Sequence, residues 1–216
     1  MKPTFETFIF DLDGTILDTL PDLVQLTNRA LTDVGFPTRT EAEILSFVGN
    51  GIRSLMNQAI PEGFDSARAD EATQRWRDLY PEYGTILTVP YDGIPEVLSQ
   101  LKAQGKKLAV LSNKFDGGVQ SLIPEYFPGI FDAAHGECAE FVRKPDPCGL
   151  IKTIEEVGGE IESTVYVGDS GGDMLTAHNA GVFALGVTWG YRSEEDLRAH
   201  GADAIITEPA AILDFV

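Results

Sequence analysis

Basic residues are scarce in this chain. Its 216 residues carry 16 lysines and arginines against 34 aspartates and glutamates, a net charge of −18. A surface of that sign repels phosphate backbones and anionic bilayers, so binding to nucleic acid or to a membrane is disfavoured. A small phosphorylated ligand is still admissible where a metal ion or local cations offset the charge in one pocket. Cysteine is scarce too. Cys138 and Cys148 match no zinc or redox spacing, which predicts two free thiols in a reducing compartment. His135, His178 and His200 are scattered at no metal-binding spacing and are read as structural. No uncharged apolar run approaches the roughly 18 to 20 residues that span a bilayer. The opening MKPTFETF lacks the apolar core of a signal peptide. These absences predict a cytoplasmic protein. There is also no internal repeat and no low-complexity tract.

What the chain does have is 43% hydrophobic residues, enough for one substantial core or a core with a small accessory domain. Short apolar runs recur at 7–10, 107–112, 130–136, 164–169, 183–188 and 202–207, each followed by a polar or Gly-rich turn. Near-continuous apolar strands of this kind suit a parallel sheet buried on both faces. Helical patterns lie between them. Asp92 is expected to cap a helix from Ile94 to Leu101 that stops at Gly105, and Asp146 with Pro147 to open another with Leu150, Ile151, Ile154 and Val157 on one face. Alternating strands and helices predict an α/β doubly wound parallel sheet.

Residues 17–88 break that rhythm. Leu20, Leu23, Val24, Thr27, Leu31 and Val34 form a helical stripe ending at Gly35, with Asp18 expected to start or cap it. Thr40 with Glu43 resembles a capping box, and the segment 65–80 turns Trp76 and Leu79 inward. No strand is expected in this block. Residues 1–16 and 89–216 are therefore predicted to form the core, with 17–88 as an inserted helical domain.

The stretch FETFIFDLDGTILD at 5–18 raises the chemical question, because an apolar strand runs straight into Asp11, Asp13 and Asp18. An ionised carboxylate in a dry interior costs several kcal/mol unless it is paired. Ligands of open α/β sheets bind beyond the carboxyl ends of the strands. Those ends carry Asp11 and Asp13, then Ser112, Asn113 and Lys114, then Asp169, Ser170 and Asp173, with Arg143 and Lys144 preceding a helix. Hard oxygen ligands in that number suit Mg²⁺, and carboxylate, Mg²⁺, lysine and hydroxyl together suit phosphoryl transfer. An EF-hand loop is excluded, since counting from Asp11 puts Ile16 and Asp22 where Gly and Glu are needed. Taken singly the motifs are weaker. Gly14 and Thr15 let the chain turn, Ser112-Asn113 is a common strand-to-turn transition, and Asp173 could serve simply as a helix N-cap.

DLDGT at 11–15, LSNK at 111–114, RKPDP at 143–147 and GDSGGD at 168–173 resemble, in order and spacing, the four motifs of the haloacid dehalogenase-like hydrolases. VGNG at 48–51, VPYDGIPEVLSQLK at 89–102 and VTWGY at 187–191 look most like the phosphoglycolate phosphatases of that superfamily, whose helical cap the block 17–88 would match. The resemblance implies a Mg²⁺-dependent phosphatase acting on a small phosphorylated metabolite, 2-phosphoglycolate above others. Asp11 would be the nucleophile that becomes an aspartyl-phosphate, and Asp13 the general acid and base. Mg²⁺ would sit between an Asp11 oxygen, the Asp13 backbone carbonyl and Asp169. Ser112 and the Asn113 amide would hold phosphoryl oxygens. Lys144 would neutralise charge, and Asp173 would orient Lys144 or a bound water. Ser170 and Thr15 would support the site, while Gly49, Asn50 and Arg53 would form a cap loop with Arg53 near a substrate carboxylate. A phosphosugar mutase like β-phosphoglucomutase or a pyrophosphatase would share these motifs. A dehalogenase would leave Asp13 without a role, and a non-catalytic module would lose the acids. Partners are expected to be limited to that metabolite, with no nucleic acid or membrane, for a monomer or homodimer.

Overall fold

The apolar runs become strands of one parallel sheet in the computed structural model, which describes residues 3–63 and 66–216. Among the described residues the strands are β1 (Thr7–Phe10), β2 (Leu17–Asp18), β3 (Val89–Pro90), β4 (Lys107–Phe115), β5 (Ala133–Glu137), β6 (Thr164–Gly168), β7 (Phe183–Val187) and β8 (Ala204–Ile206). The six-stranded sheet has the order β5-β4-β1-β6-β7-β8. The chain divides into two compact units, Met1–Asp18 with Pro90–Val216, and Thr19–Val89.

In the first unit β1 is central and all four of its residues are buried. Thr7 sits opposite Lys107 of β4 on one side and Thr164 of β6 on the other, both in parallel. Alternation along the strand feeds two apolar layers. Phe8 and Phe10 join Ile94, Val97, Leu98 and Leu101 of α5 (Ile94–Ala103) and Val119 and Leu122 of α6 (Asp116–Tyr126). Ile9 joins Leu150 and Ile154 of α7 (Cys148–Glu156) and Met174, Ala177 and Ala180 of α8 (Gly171–Ala180). Burying each large apolar side chain contributes about 1.5–3 kcal/mol, so β1 is clamped from both faces and both edges. That rigidity fixes where the chain emerges at Asp11. The short α9 (Glu194–Ala199) completes this unit.

Three local expectations are corrected. The N-cap of α5 is Gly93 and makes no side-chain cap bond; Asp92 lies one residue too early to reach the free amides. The run at 130–136 pairs only from Ala133, because Ile130 and Phe131 pack against the core instead. Asp18 belongs to β2, and Thr19 is the N-cap of the first helix. A two-residue strand such as β2 is too short to leave a periodic signal, which is why none was expected there.

The second unit is helical: α1 (Leu20–Asp33), α2 (Glu41–Phe47), α3 (Gly51–Ala59) and α4 (Ser66–Tyr83). The Thr40–Glu43 capping box forms, with both reciprocal bonds. Trp76 and Leu79 are buried, and Trp76 donates to Thr27 Oγ1 at 3.2 Å. The segment 65–80 begins one residue outside the described part, at Asp65. Asp22 is a buried carboxylate that accepts from Leu87 N, Thr88 N and Thr88 Oγ1 at 2.7–3.0 Å, tying the two ends of this unit together. Bonds to a charged acceptor are worth about 1.5–3 kcal/mol each, and stripping the acceptor strands the donors. Asp22→Ala is therefore expected to cost about 3 kcal/mol, a fall in Tm of roughly 6–12 °C in thermal unfolding; an unchanged Tm would show the clasp to be idle. No helix among the described residues is long and apolar enough to cross a membrane.

Candidate active site

The carboxyl ends of β1, β4 and β6 bring the predicted polar residues of the first unit together. Asp11 follows β1 directly, and its N–H still donates to Val167 O at 2.9 Å, so its backbone stays in the sheet. Beyond it the chain turns sharply, with Leu12 O accepting from Thr15, Ile16 and Leu17 N. Gly14 has φ +81°, and a Cβ there would lie 2.4 Å from Asp169 Oδ2. Only glycine fits that turn.

Lys144 is the hub. Its Nζ lies 3.0 Å from Asp11 Oδ1 and 2.6 Å from Asp173 Oδ1, with its side chain 5% exposed. It also donates to Tyr166 Oη at 3.0 Å, while Tyr166 donates to Leu111 O at 2.8 Å. Asn113 anchors the Lys144 backbone: Asn113 Oδ1 accepts from Lys144 N at 2.7 Å and Nδ2 donates to Lys144 O at 3.4 Å. Asp173 is fully buried. Its Oδ2 accepts from Ser170 N and Ser170 Oγ, at 3.0 and 2.6 Å. The helix N-cap is thus Ser170, and Asp173 is the third residue of a capping box. This corrects the expected N-cap, since the carboxylate that closes the box has to sit one turn further on.

Asp169 is held on both oxygens. Oδ1 accepts from Thr15 Oγ1 at 3.2 Å and Oδ2 from Tyr191 N at 2.7 Å. Trp189 Nε1 donates to Thr15 O at 3.0 Å, so Trp189 does more than pack. A Cβ on Gly190 would fall 2.1 Å from Gly14 O, so the 189–191 turn lies directly on the 14–15 turn. Ser112 is buried and accepts from Lys114 N at 3.2 Å, and Lys114 Nζ lies 3.0 Å from Asp13 Oδ1.

Asp11, Asp169 and Asp173 each offer a carboxylate oxygen within 4.8 Å of the others. Burial pushes the Asp11 carboxyl up to about 7, with Asp173 and Asp13 adding to it and Lys144 opposing. Burial pushes Asp169 up to about 8, helped by Asp173 and Asp11. Asp11, Asp13, Asp169 and Asp173 against Lys114 and Lys144 carry a formal charge of −2 when all are ionised. Oxygen donors only, with two negative charges in excess, match what a hard divalent cation requires. Asp173 already serves Lys144, Tyr166 and Ser170, which leaves it less to give a metal than Asp11 or Asp169.

Gly49, Asn50 and Arg53 belong to the helical unit. Asn50 is the N-cap of α3 without a side-chain bond, and Arg53 pairs with Asp70 on α4. The histidines pair with acids, His135 with Glu156, His178 with Asp203 and His200 with Asp196. Both cysteines are free and exposed. Sequence reasoning gave no role to Tyr166 or to the Asn113 side chain, and it placed Lys114 at a strand end without naming what it pairs with. For Tyr166 the usable signal was a phenol hydroxyl between the apolar Val165 and Val167.

The family model for haloacid dehalogenase-like hydrolases matches residues 8–187. The chain belongs to that family. This haloacid dehalogenase-like hydrolase is 35% identical over 204 residues to a phosphoglycolate phosphatase of Caulobacter vibrioides, covering 93% of this chain and 86% of that one. It is 30% identical to the N-acetylmuramic acid 6-phosphate phosphatase of Pseudomonas aeruginosa, covering 95% and 92%. A crystal structure of a predicted phosphoglycolate phosphatase from Haemophilus somnus superposes with a TM-score of 0.90 at 29% identity over 97% of each chain. Among the relatives of this haloacid dehalogenase-like hydrolase, the phosphoglycolate phosphatase branch recurs.

Proposed function

We propose that the chain hydrolyses small phosphate monoesters through a phosphorylated Asp11, with Mg²⁺ as cofactor and 2-phosphoglycolate as the preferred substrate. As a member of its family it is a phosphatase, a phosphoric monoester hydrolase. The observation that carries the mechanism is that two carboxylates two residues apart have separate ammonium partners, Lys144 on Asp11 and Lys114 on Asp13. Different surroundings let two acids do different work.

Asp11 attacks phosphorus, and the P–O bond to the alcohol breaks as Asp13 passes its proton to the departing oxygen. Asp13 then takes a proton from water, whose oxygen attacks the aspartyl-phosphate and releases inorganic phosphate with Asp11 restored. Ser112 Oγ and the Asn113 N–H donate to phosphoryl oxygens. Lys144 offsets their charge, and Asp173 and Tyr166 keep Lys144 in place. Asp11, Asp169 and the Asp13 carbonyl would hold Mg²⁺, which when bound supplies positive charge against the carboxylates and the phosphoryl group. The relatives' names support 2-phosphoglycolate. The helical unit, with Gly49, Asn50 and Arg53, is the proposed source of substrate selectivity. The relative named for N-acetylmuramic acid 6-phosphate makes a phosphosugar the substrate to set against it.

A panel of about a hundred phosphorylated metabolites, assayed for released phosphate, tests the substrate; a clear preference for a sugar phosphate or a nucleotide would overturn that choice. EDTA is expected to abolish turnover and Mg²⁺ to restore it. Stability gives a second readout. Asp11 and Asp169 have raised pKa values, so between about 4 and 8 the folded metal-free protein holds more protons than the unfolded chain. Its Tm should then fall as pH rises through that window. Added Mg²⁺ should raise Tm more at pH 8 than at pH 5, because protons and metal compete for the same oxygens. A pH-independent metal shift would sink this assignment of ligands.

A further inference from the structure

Lys114 pairs with Asp13 but is given no step of its own in the mechanism above, and it is a buried ammonium group within the site. Its side chain is 5% exposed and that of Asp13 is 16% exposed, with 3.0 Å between Nζ and Oδ1. Burying an ammonium costs several kcal/mol unless its partner compensates, so packing alone does not explain a lysine here. β4 accounts for its direction. Ser112 and Lys114 are buried while Asn113 between them is less so, the alternation of an extended strand. The pairing with β5 shifts register between Leu111 and Phe115, which falls at these residues. Ser112 Oγ fixes the Lys114 backbone, and Asn113 turns to the Lys144 backbone. One strand end thereby supports both acids, Asp13 directly through Lys114 and Asp11 indirectly through Lys144.

We propose that Lys114 is the positioning residue for Asp13, holding its carboxyl toward the leaving oxygen without touching substrate itself. This rests on the reading of Asp13 as the proton carrier. An ammonium 3.0 Å from one carboxylate oxygen restricts rotation of the group, and a donor misplaced by about 1 Å loses on the order of 10²-fold in rate. Lys144 cannot substitute, because its protons are directed to Asp11, Asp173 and Tyr166.

The test compares leaving groups, using the full chain with Mg²⁺ added and following the first turnover. p-Nitrophenolate departs without a proton, whereas the alkoxide of 2-hydroxyethyl phosphate does not. Lys114→Met is expected to slow alcohol release from 2-hydroxyethyl phosphate by roughly 10²-fold or more. The p-nitrophenolate burst should stay within about 3-fold of wild type, with KM little changed. Lys114→Arg should recover part of the loss; Lys114→Gln carries the same comparison if the Met variant does not fold. A parallel fall in both bursts would overturn the proposal, since Lys114 would then serve the phosphoryl group or the fold. So would a loss confined to 2-phosphoglycolate, which would make Lys114 a reader of the substrate carboxylate. Asp13→Asn is run alongside. If that variant leaves 2-hydroxyethyl phosphate turnover intact, the proton-carrier reading fails, and the Lys114 proposal fails with it for a distinguishable reason.

Discussion

Asp11→Asn is expected to cut phosphate release from p-nitrophenyl phosphate by roughly 10⁵-fold, the scale of losing a covalent nucleophile, while the fold survives. The amide matches the carboxylate in size and still offers Leu12 N an acceptor in place of the bond it now makes at 2.7 Å. What it loses is the charge and the oxygen proposed to attack phosphorus. The stability of the variant carries information of its own. Burial holds Asp11 at about 7, so ionising it in the fold costs free energy that an unfolded carboxylate does not incur. Relative to wild type without metal, the variant should therefore gain stability as pH rises from about 4 to 7. Circular dichroism, thermal unfolding and a phosphate assay on one preparation decide the matter. Wild-type turnover would make another group the nucleophile.

Lys144→Met should damage both activity and stability. Removing one partner of a buried ion pair costs about 3–5 kcal/mol, a large share of the roughly 5–15 kcal/mol that holds an ordinary domain. Turnover should drop by about 10²- to 10³-fold as charge stabilisation is lost. Burial alone would pull the Lys144 pKa down, but Asp11 and Asp173 drive it well above its ordinary value. Its stabilising effect is thus complete below the unfolded lysine value and fades only as pH climbs through the higher folded one. Across the neutral range the wild type keeps it all. In the variant, Asp11 loses the cation that opposes its protonation, so it takes up its proton more readily as pH falls. The stability deficit measured by denaturant unfolding should shrink from pH 8 to pH 5. A deficit that stays constant would mean that lost packing of the lysine stem, and not charge, is responsible.

Local chemistry was the part of the molecule that could be read along the chain. Apolar runs marked the buried parallel strands because both faces of such a sheet are covered, and Thr40 with Glu43 marked a helix start because a capping box closes within four residues. The convergence of Asp11, Ser112, Lys144 and Asp169 was legible because parallel strands put their carboxyl ends on one edge. Partner choice was not. Lys114 and Asp13 are 101 positions apart, and nothing in either neighbourhood states that they meet. Asn113 was read for its backbone, whereas its side chain serves Lys144 through bonds that depend on how a loop returns. Asp18 and Asp92 failed as caps by one residue. At a helix start one residue decides which amides a carboxylate can reach.

The place of β1 in the sheet has a consequence for how the enzyme comes into being. The strand that delivers Asp11 is made first but is flanked by β4 and β6, with Thr7 opposite Lys107 and Thr164. During synthesis it has no edge to dock on until Lys107–Val110 has appeared, and its second neighbour comes later still. Pairings so distant in sequence are slow to form and leave apolar edges open to aggregation in the interim. The same delay keeps Asp11 apart from Lys144 and Asp169 on a nascent chain. A ribosome-bound fragment ending before β6 therefore lacks Asp169 and Asp173, two of the four carboxylates gathered at this end of the sheet.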